Sequence, residues 1–217
     1  MHNNYDPIAR NYDLLSRLIF GQNLVRSQTC LLTHIPAGSS ILIVGGGTGW
    51  ILEEIAKIHS SGLAITYVEI SEKMTKMAKS RFISDNKVTF VNKPIEEYQT
   101  TELYDTILTP FLFDNFQAEK AEAVFSRLNS ILNLNGKWLF ADFHIDQQSK
   151  FWQKPLLSIM LHFFRVICNI EARNLFPMQP VFHKNNFKTI QDFRHFHGFI
   201  KSSVYVKNND LIMQEFK

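Results

Sequence analysis

Two rhythms of hydrophobic and polar positions alternate along this chain. Short apolar runs are each followed by a segment whose apolar residues recur every three or four positions. The clearest run is ILIV (41–44), continuous and rich in β-branched residues, as a strand buried on both faces requires. The segment after it, WILEEIAKIH (50–59), has helical spacing. The alternation continues with a strand over 64–70, a helix over 71–82 that Ser71 is placed to cap, and a strand over 87–92. A strand over 104–111, a helix over 117–132, a turn at Asn135-Gly136 and a strand over 137–143 follow. Alternating strands and helices predict an α/β fold: a doubly wound, Rossmann-like sheet, mostly parallel, with helices on both faces.

Four stretches fall outside this core. Residues 5–34 read as two helices broken near Gly21, with apolar positions at Leu14, Leu15, Leu18 and Ile19. Residues 144–182 interrupt the alternation and are apolar and aromatic. After Pro155 the positions Leu156, Leu157, Met160, Leu161, Phe164 and Ile167 give a helix with a wide apolar face. Residues 185–196 read as a last helix, and two strand-like runs flank Asn208-Asn209-Asp210 as a hairpin. The predicted organisation is one domain over 1–217: a helical cap (1–35), a ligand-binding core (36–143), a lid-like insertion (144–182), and a terminal helix with its strand hairpin (183–217).

Composition narrows the functions. With 45% hydrophobic residues the chain can build a substantial core, and its 19 phenylalanines can also furnish an aromatic pocket. The net charge of +3 comes from 23 basic and 20 acidic residues without a run of like sign, so no nucleic-acid partner is expected. Cys30 and Cys168 lack metal-ligand spacing and read as reduced thiols. His195 and His197 have no third ligand nearby, and no metal is expected. The opening MHNNYDPIARNYD is polar, and His162 and Arg165 interrupt the most apolar stretch. A transmembrane segment is therefore not expected, and the cytoplasm is the expected compartment.

The chemistry concentrates in ILIVGGGTGW (41–50). A buried strand ends in a turn carrying Gly45, Gly46, Gly47 and Gly49, where backbone can approach a ligand closely. Dinucleotide enzymes use G-x-G-x-x-G/A, and here the last position is the bulky Trp50; the Gly-Lys-Ser/Thr of a phosphate loop is absent. Glu69 ends the next strand, where a carboxylate can accept from both hydroxyls of a ribose.

GGGTG, YVEIS, YDTILTPF and LNLNGKWLFADF, in that order, resemble the motif set of class I S-adenosylmethionine (SAM) methyltransferases over residues 38–143. The resemblance implies seven strands with an antiparallel last one, SAM as cofactor and S-adenosylhomocysteine (SAH) as product. It implies that the glycine loop holds the methionine part, Glu69 the ribose and Ile70 the adenine face. Pro94 and Ile95 stand at the adenine edge in place of a usual Asp-Ala pair, and Ile43 stands where the family carries an acid. TPFLFDNF (109–116) would line the methyl-transfer site, through Phe111, Phe113, Phe116 and the carbonyl of Thr109. The opening YDPIARNYDLLSRLIFGQ is similar to that of quinone-biosynthesis and other small-molecule methyltransferases, in which a tyrosine matched by Tyr12 closes over the methionine end.

The expected reaction is methyl transfer from SAM to a small, apolar or aromatic acceptor. Alternatives are a protein or RNA acceptor, other SAM chemistry, or a non-catalytic SAM-binding protein. Asp142, His144, Asp114 and His183 are the candidate bases, and none is singled out by spacing. Residues 150–170 read as a lid over the acceptor, a homodimer interface, a membrane-surface helix or a core helix.

Overall fold

A computed structural model of the chain describes residues 3–207. Two helices open it, α1 (Tyr12–Phe20) and α2 (Asn23–Leu32). The core then runs β1 (Ser40–Val44), α3 (Trp50–Ile58), β2 (Ser61–Val68), α4 (Glu72–Ala78), β3 (Asp85–Val91), β4 (Tyr104–Pro110), α5 (Ala118–Ser130) and β5 (Leu132–Phe143). It closes with α6 (Gln153–Cys168), α7 (Met178–Lys184), β6 (Phe187–His195) and β7 (Ile200–Lys207).

The seven strands form one sheet in the order β3-β2-β1-β4-β5-β7-β6. The first five strands pair in parallel, and β7 runs antiparallel to both β5 and β6. This is the doubly wound sheet with an antiparallel last strand. The order reverses at β1, so the ends of β1 and β4 flank a crevice where such sheets bind ligands.

Apolar helix faces cover the sheet on both sides. Ile51, Leu52 and Ile55 of α3 bury against one face of the sheet with Leu31 and Leu32 of α2. On the other face Ala121, Val124, Phe125 and Leu128 of α5 form a stripe at helical spacing, and Phe125 stacks on Trp138 at 4.9 Å. Truncating a ring in such a cluster typically costs about 3–5 kcal/mol. Ser71 caps α4 as its type and place require, its Oγ accepting from the Met74 N–H at 3.1 Å.

Three expectations are corrected. Residues 185–196 are not a helix: 187–195 form the edge strand β6. Phe187, Ile190 and Phe193 recur at helical spacing, but the backbone pairs with β7 across a bulge between Thr189 and Gln191. The hairpin therefore turns at 196–199, and the one expected around Asn208-Asp210 lies outside the described residues. Asn135-Gly136 is not a turn between elements but an irregularity inside β5, where the register against β4 shifts and Asn135 takes a φ of 63°. The insertion holds α6 as expected and a second helix, α7, that its pattern did not show.

Candidate active site

The glycine turn leaves β1 and is held by its neighbours. The Gly45 N–H donates to the Val68 carbonyl at 2.9 Å, and the Tyr67 hydroxyl donates to the Gly47 carbonyl at 2.9 Å. A side chain at Gly46 would collide with the Tyr67 ring at 2.5 Å. Gly47 has a φ of 64°, favoured by glycine, and only the Met74 sulfur, at 4.0 Å, lies near its open side. That side faces a cavity at the carboxyl ends of β1 and β4, bordered by Gly45, Gly46 and Gly47. Gly49 does not border it. It precedes α3 with a φ of 82°, and a Cβ there would meet the Ala78 Cβ at 2.5 Å, so its work is the packing of α3 on α4.

Glu69 lines the same cavity and is 4% exposed. Its carboxylate accepts from the Gly47 N–H at 3.0 Å and the Ser71 N–H at 2.9 Å. Burial outweighs these bonds and pushes its pKa up to about 7. Ile70, Pro94 and Ile95 form the wall beyond it, and Lys93 and Glu96 bring charge to that end. Pro110, Phe111 and Phe116 form the opposite end.

Two expected wall residues lie elsewhere. Thr109 is fully buried behind the cavity, its hydroxyl accepting from the Trp138 indole at 2.9 Å, and the wall begins at Pro110. Phe113 turns into the core against Trp138 and Phe140. Ile43 is wholly buried in β1. A different acid reaches the glycine turn: Asp13 of α1 accepts from the Thr48 hydroxyl at 2.7 Å and borders the cavity.

Asp13 is half of a repeated pattern. Each of two Tyr-Asp pairs, Tyr5-Asp6 and Tyr12-Asp13, sends its tyrosine into the cavity wall and its aspartate onto a core loop. Asp6 accepts from the Ser71 hydroxyl at 2.5 Å and the Lys73 N–H at 3.2 Å, at the start of α4. Tyr5 donates to the Asn115 side-chain oxygen. The doubled Tyr-Asp spacing in the opening residues was the sequence signal for both contacts.

Beyond Tyr5, Tyr12 and Phe111 lies a second, mainly apolar cavity that shares these three residues, as well as Ser16, Leu24 and Asn115, with the first. Phe20, Phe143 and the α6 residues Leu157, Met160 and Phe164 line it. Phe111 has a φ of 50°, uncommon for a side chain of its size, and its N–H donates to the Ala141 carbonyl at 2.7 Å. Asp114 is the one carboxylate in this second wall. Burial, and then the neighbouring Asp142, hold its carboxyl well above the usual carboxylate range.

The other candidate bases line a different groove. Asp142 accepts from the Phe113, Asp114 and Phe143 N–H groups at 3.2, 3.2 and 2.8 Å. Burial raises its pKa to about 7. His144 pairs with Asp146 at 3.2 Å, and burial lowers its pKa. Both border a groove shared with His183 and Lys201. His195 faces the Cys30 sulfur at 3.7 Å and His197 the Lys150 ammonium at 3.3 Å, so the two histidines point to different partners. Among the described residues no cluster of three or more metal-ligating side chains occurs.

The methyltransferase-domain family matches residues 41–136, the span from β1 through most of β5 that carries the glycine turn and Glu69. Over this span the chain is similar to SAM-dependent methyltransferases. Among curated methyltransferases it is 34% identical to malonyl-[acyl-carrier protein] O-methyltransferase 2 of Ilyobacter polytropus, over 108 residues that make up 49% of this chain and 40% of that protein. The chain thus spans about two fifths of the length of the first curated relatives it matches. In fold it is similar to mitomycin 7-O-methyltransferase, with a TM-score of 0.69 and 15% identity over 94% of this chain and 59% of that one. Human N-acetylserotonin methyltransferase in complex with SAM gives a TM-score of 0.65 at 16% identity, over 92% of this chain and 55% of that one. At these identities the likeness is one of fold.

Proposed function

We propose that the chain binds SAM in the cavity at the glycine turn and transfers its methyl group to a small apolar or aromatic acceptor in the adjoining cavity. The observation that carries this reading is the shared wall: Tyr5, Tyr12 and Phe111 border both cavities, so one ligand can meet the other there. The residues fit the cofactor. Gly47 leaves open space where a Cβ would intrude, and Glu69 presents a buried carboxylate for the ribose. Asp13 brings to the glycine turn the acid that Ile43 does not supply, suited to the cofactor's amino group.

When bound, SAM supplies a methyl group on a cationic sulfur, already activated toward a nucleophile. The protein's part is alignment and exclusion of water. The rings of Tyr5, Tyr12 and Phe111 do both, and their faces suit a nearby cation. Asp114, in the acceptor wall, is the residue placed to take a proton from a hydroxyl or amine acceptor. Its surroundings favour the protonated form, which makes its ionised form a stronger base than an exposed carboxylate.

Calorimetry with SAH tests the cofactor half: binding well below millimolar is expected, and absence of heat would overturn it. Transfer of labelled methyl to phenolic and quinone-like compounds tests the acceptor half. Transfer to a malonylated carrier protein, the acceptor named for the Ilyobacter relative, and to no apolar compound would replace it.

A further inference from the structure

The two helices that wall the apolar cavity also carry a concentration of exposed apolar side chains. On α1, Leu14 and Leu18 are 72% and 81% exposed. On α6, Ile159 and Val166 are each 67% exposed, with Ile167 beside them, and Phe151 just before the helix is 91% exposed. Elsewhere among the described residues such side chains occur no more than one to an element, at Ile58, Phe82, Leu103, Leu134 and Ile190. Scattered exposure is ordinary, whereas a concentration on adjoining elements marks an interaction surface.

The apolar arc of α6 is wider than its packing needs. At roughly 100° per residue, Leu157, Met160, Leu161 and Phe164 occupy an arc of about 100° facing the cavity. Ile159, Val166 and Ile167 extend the apolar surface by roughly another 100° on the side turned away. The rest of the circumference carries Lys154, Ser158, His162 and Arg165. No acid occurs between Gln147 and Ile170, and Arg17 lies three residues after Leu14 on α1. Among the described residues Lys154, Arg165 and Arg17 have no ion-pair partner. An exposed apolar shoulder flanked by unpaired cations complements an anionic lipid surface.

We infer that the α1–α6 face docks the protein onto the surface of an anionic phospholipid bilayer, with the apolar cavity behind it. Among the described residues no helix is long and apolar enough to cross a membrane, so the contact is peripheral. The apolar-acceptor reading bears only on what passes between bilayer and cavity; docking itself is read without methyl transfer.

Flotation of the full chain with phosphatidylcholine vesicles, with and without phosphatidylglycerol, tests this. Binding is expected to the anionic vesicles and to fall as salt rises. The variant Leu18→Ser/Ile159→Ser/Val166→Ser changes only exposed positions, so it should keep its circular dichroism and SAH affinity while partitioning at least about tenfold less. Lys154→Glu/Arg165→Glu should abolish the preference for anionic vesicles. No flotation with either vesicle, or equal flotation of wild type and variants, would overturn the proposal. So would a wild-type dimer by light scattering that the triple-serine variant makes monomeric, since a second copy would then cover the face.

Discussion

Asp13 of the first helix accepts a hydrogen bond from Thr48 of the glycine turn, Oδ2 to Oγ1 at 2.7 Å. The bond joins the cap to the ligand loop across 35 residues of sequence. Arg81 completes the cluster, donating to the Thr48 carbonyl at 3.0 Å and lying 3.7 Å from the same Asp13 oxygen. If this contact places Asp13 for the cofactor, Asp13→Asn should weaken SAH binding by about tenfold or more, since one hydrogen bond to an ion contributes about 1.5–3 kcal/mol. Thr48→Val should do the same, and the double variant should be little worse than either alone. Full additivity in calorimetry would show that the two residues act separately.

Glu69 ties cofactor affinity to pH. Its pKa of about 7 in the free protein means that it is largely protonated at pH 6 and largely ionised at pH 8. Ribose hydroxyls donate best to the ionised form, so SAH affinity should rise from pH 6 to pH 8. Stability should run the other way for this group. The unfolded chain ionises near the ordinary value of 4.5 and the folded chain near 7, so the neutral form's contribution to stability is lost between them. Glu69→Gln should bind at least tenfold more weakly, with no rise over that range. A rise of the same size in Glu69→Gln would assign the titration to another group.

The glycines separate binding from stability. Gly47 borders the cavity and has room for a small side chain, whereas Gly49 is packed against Ala78. Gly47→Val should abolish detectable SAH binding and lower stability only by the roughly 1–2 kcal/mol of a left-handed backbone. Gly49→Ala should cost more stability than Gly47→Ala, because α3 or α4 must shift to admit it. Urea denaturation beside calorimetry reads both; the reverse ranking of the two alanine variants would contradict the packing assigned to Gly49.

Asp114 neighbours the buried Asp142, whose charge disfavours ionisation of Asp114. With a hydroxyl acceptor, Asp114→Asn should keep SAH affinity and lower turnover by about a hundredfold or more. Asp142→Asn removes the charge that raises Asp114, so the acidic limb of the pH–rate profile should move to lower pH. An unchanged limb in Asp142→Asn, with Asp114→Asn inactive, would mean that another group titrates.

Much of the core was legible because parallel strands buried on both faces write themselves as unbroken apolar runs, as ILIV does for β1. The glycine turn was legible because position 47 needs an open side and a positive φ, and position 46 abuts Tyr67. The edge strand β6 was not. Half its side chains face solvent, and its apolar residues fell at a helical interval by chance of composition. Nor could the base candidates be sorted from sequence. Asp142 and His144 are two apart at the end of β5 and turn to the same groove, while Asp114 reaches the other cavity through a 3-10 turn over 113–115. The partner of Asp13 lies 35 residues away, so the doubled Tyr-Asp spacing marks the residue without naming what it meets.

The second helix is held by residues far along the chain. The Ser202 hydroxyl of β7 donates to the Ser27 carbonyl of α2 at 2.6 Å, and the Phe196 N–H donates to Asn23 at 3.3 Å. These two bonds close loops of 175 and 173 residues. The glycine turn and Glu69 lie inside those loops and do not depend on them, whereas the support behind the helix that follows Tyr12 and Asp13 does. A chain cut between residues 145 and 195 and parted there would therefore keep the nucleotide half of the site and loosen the half that shuts out water.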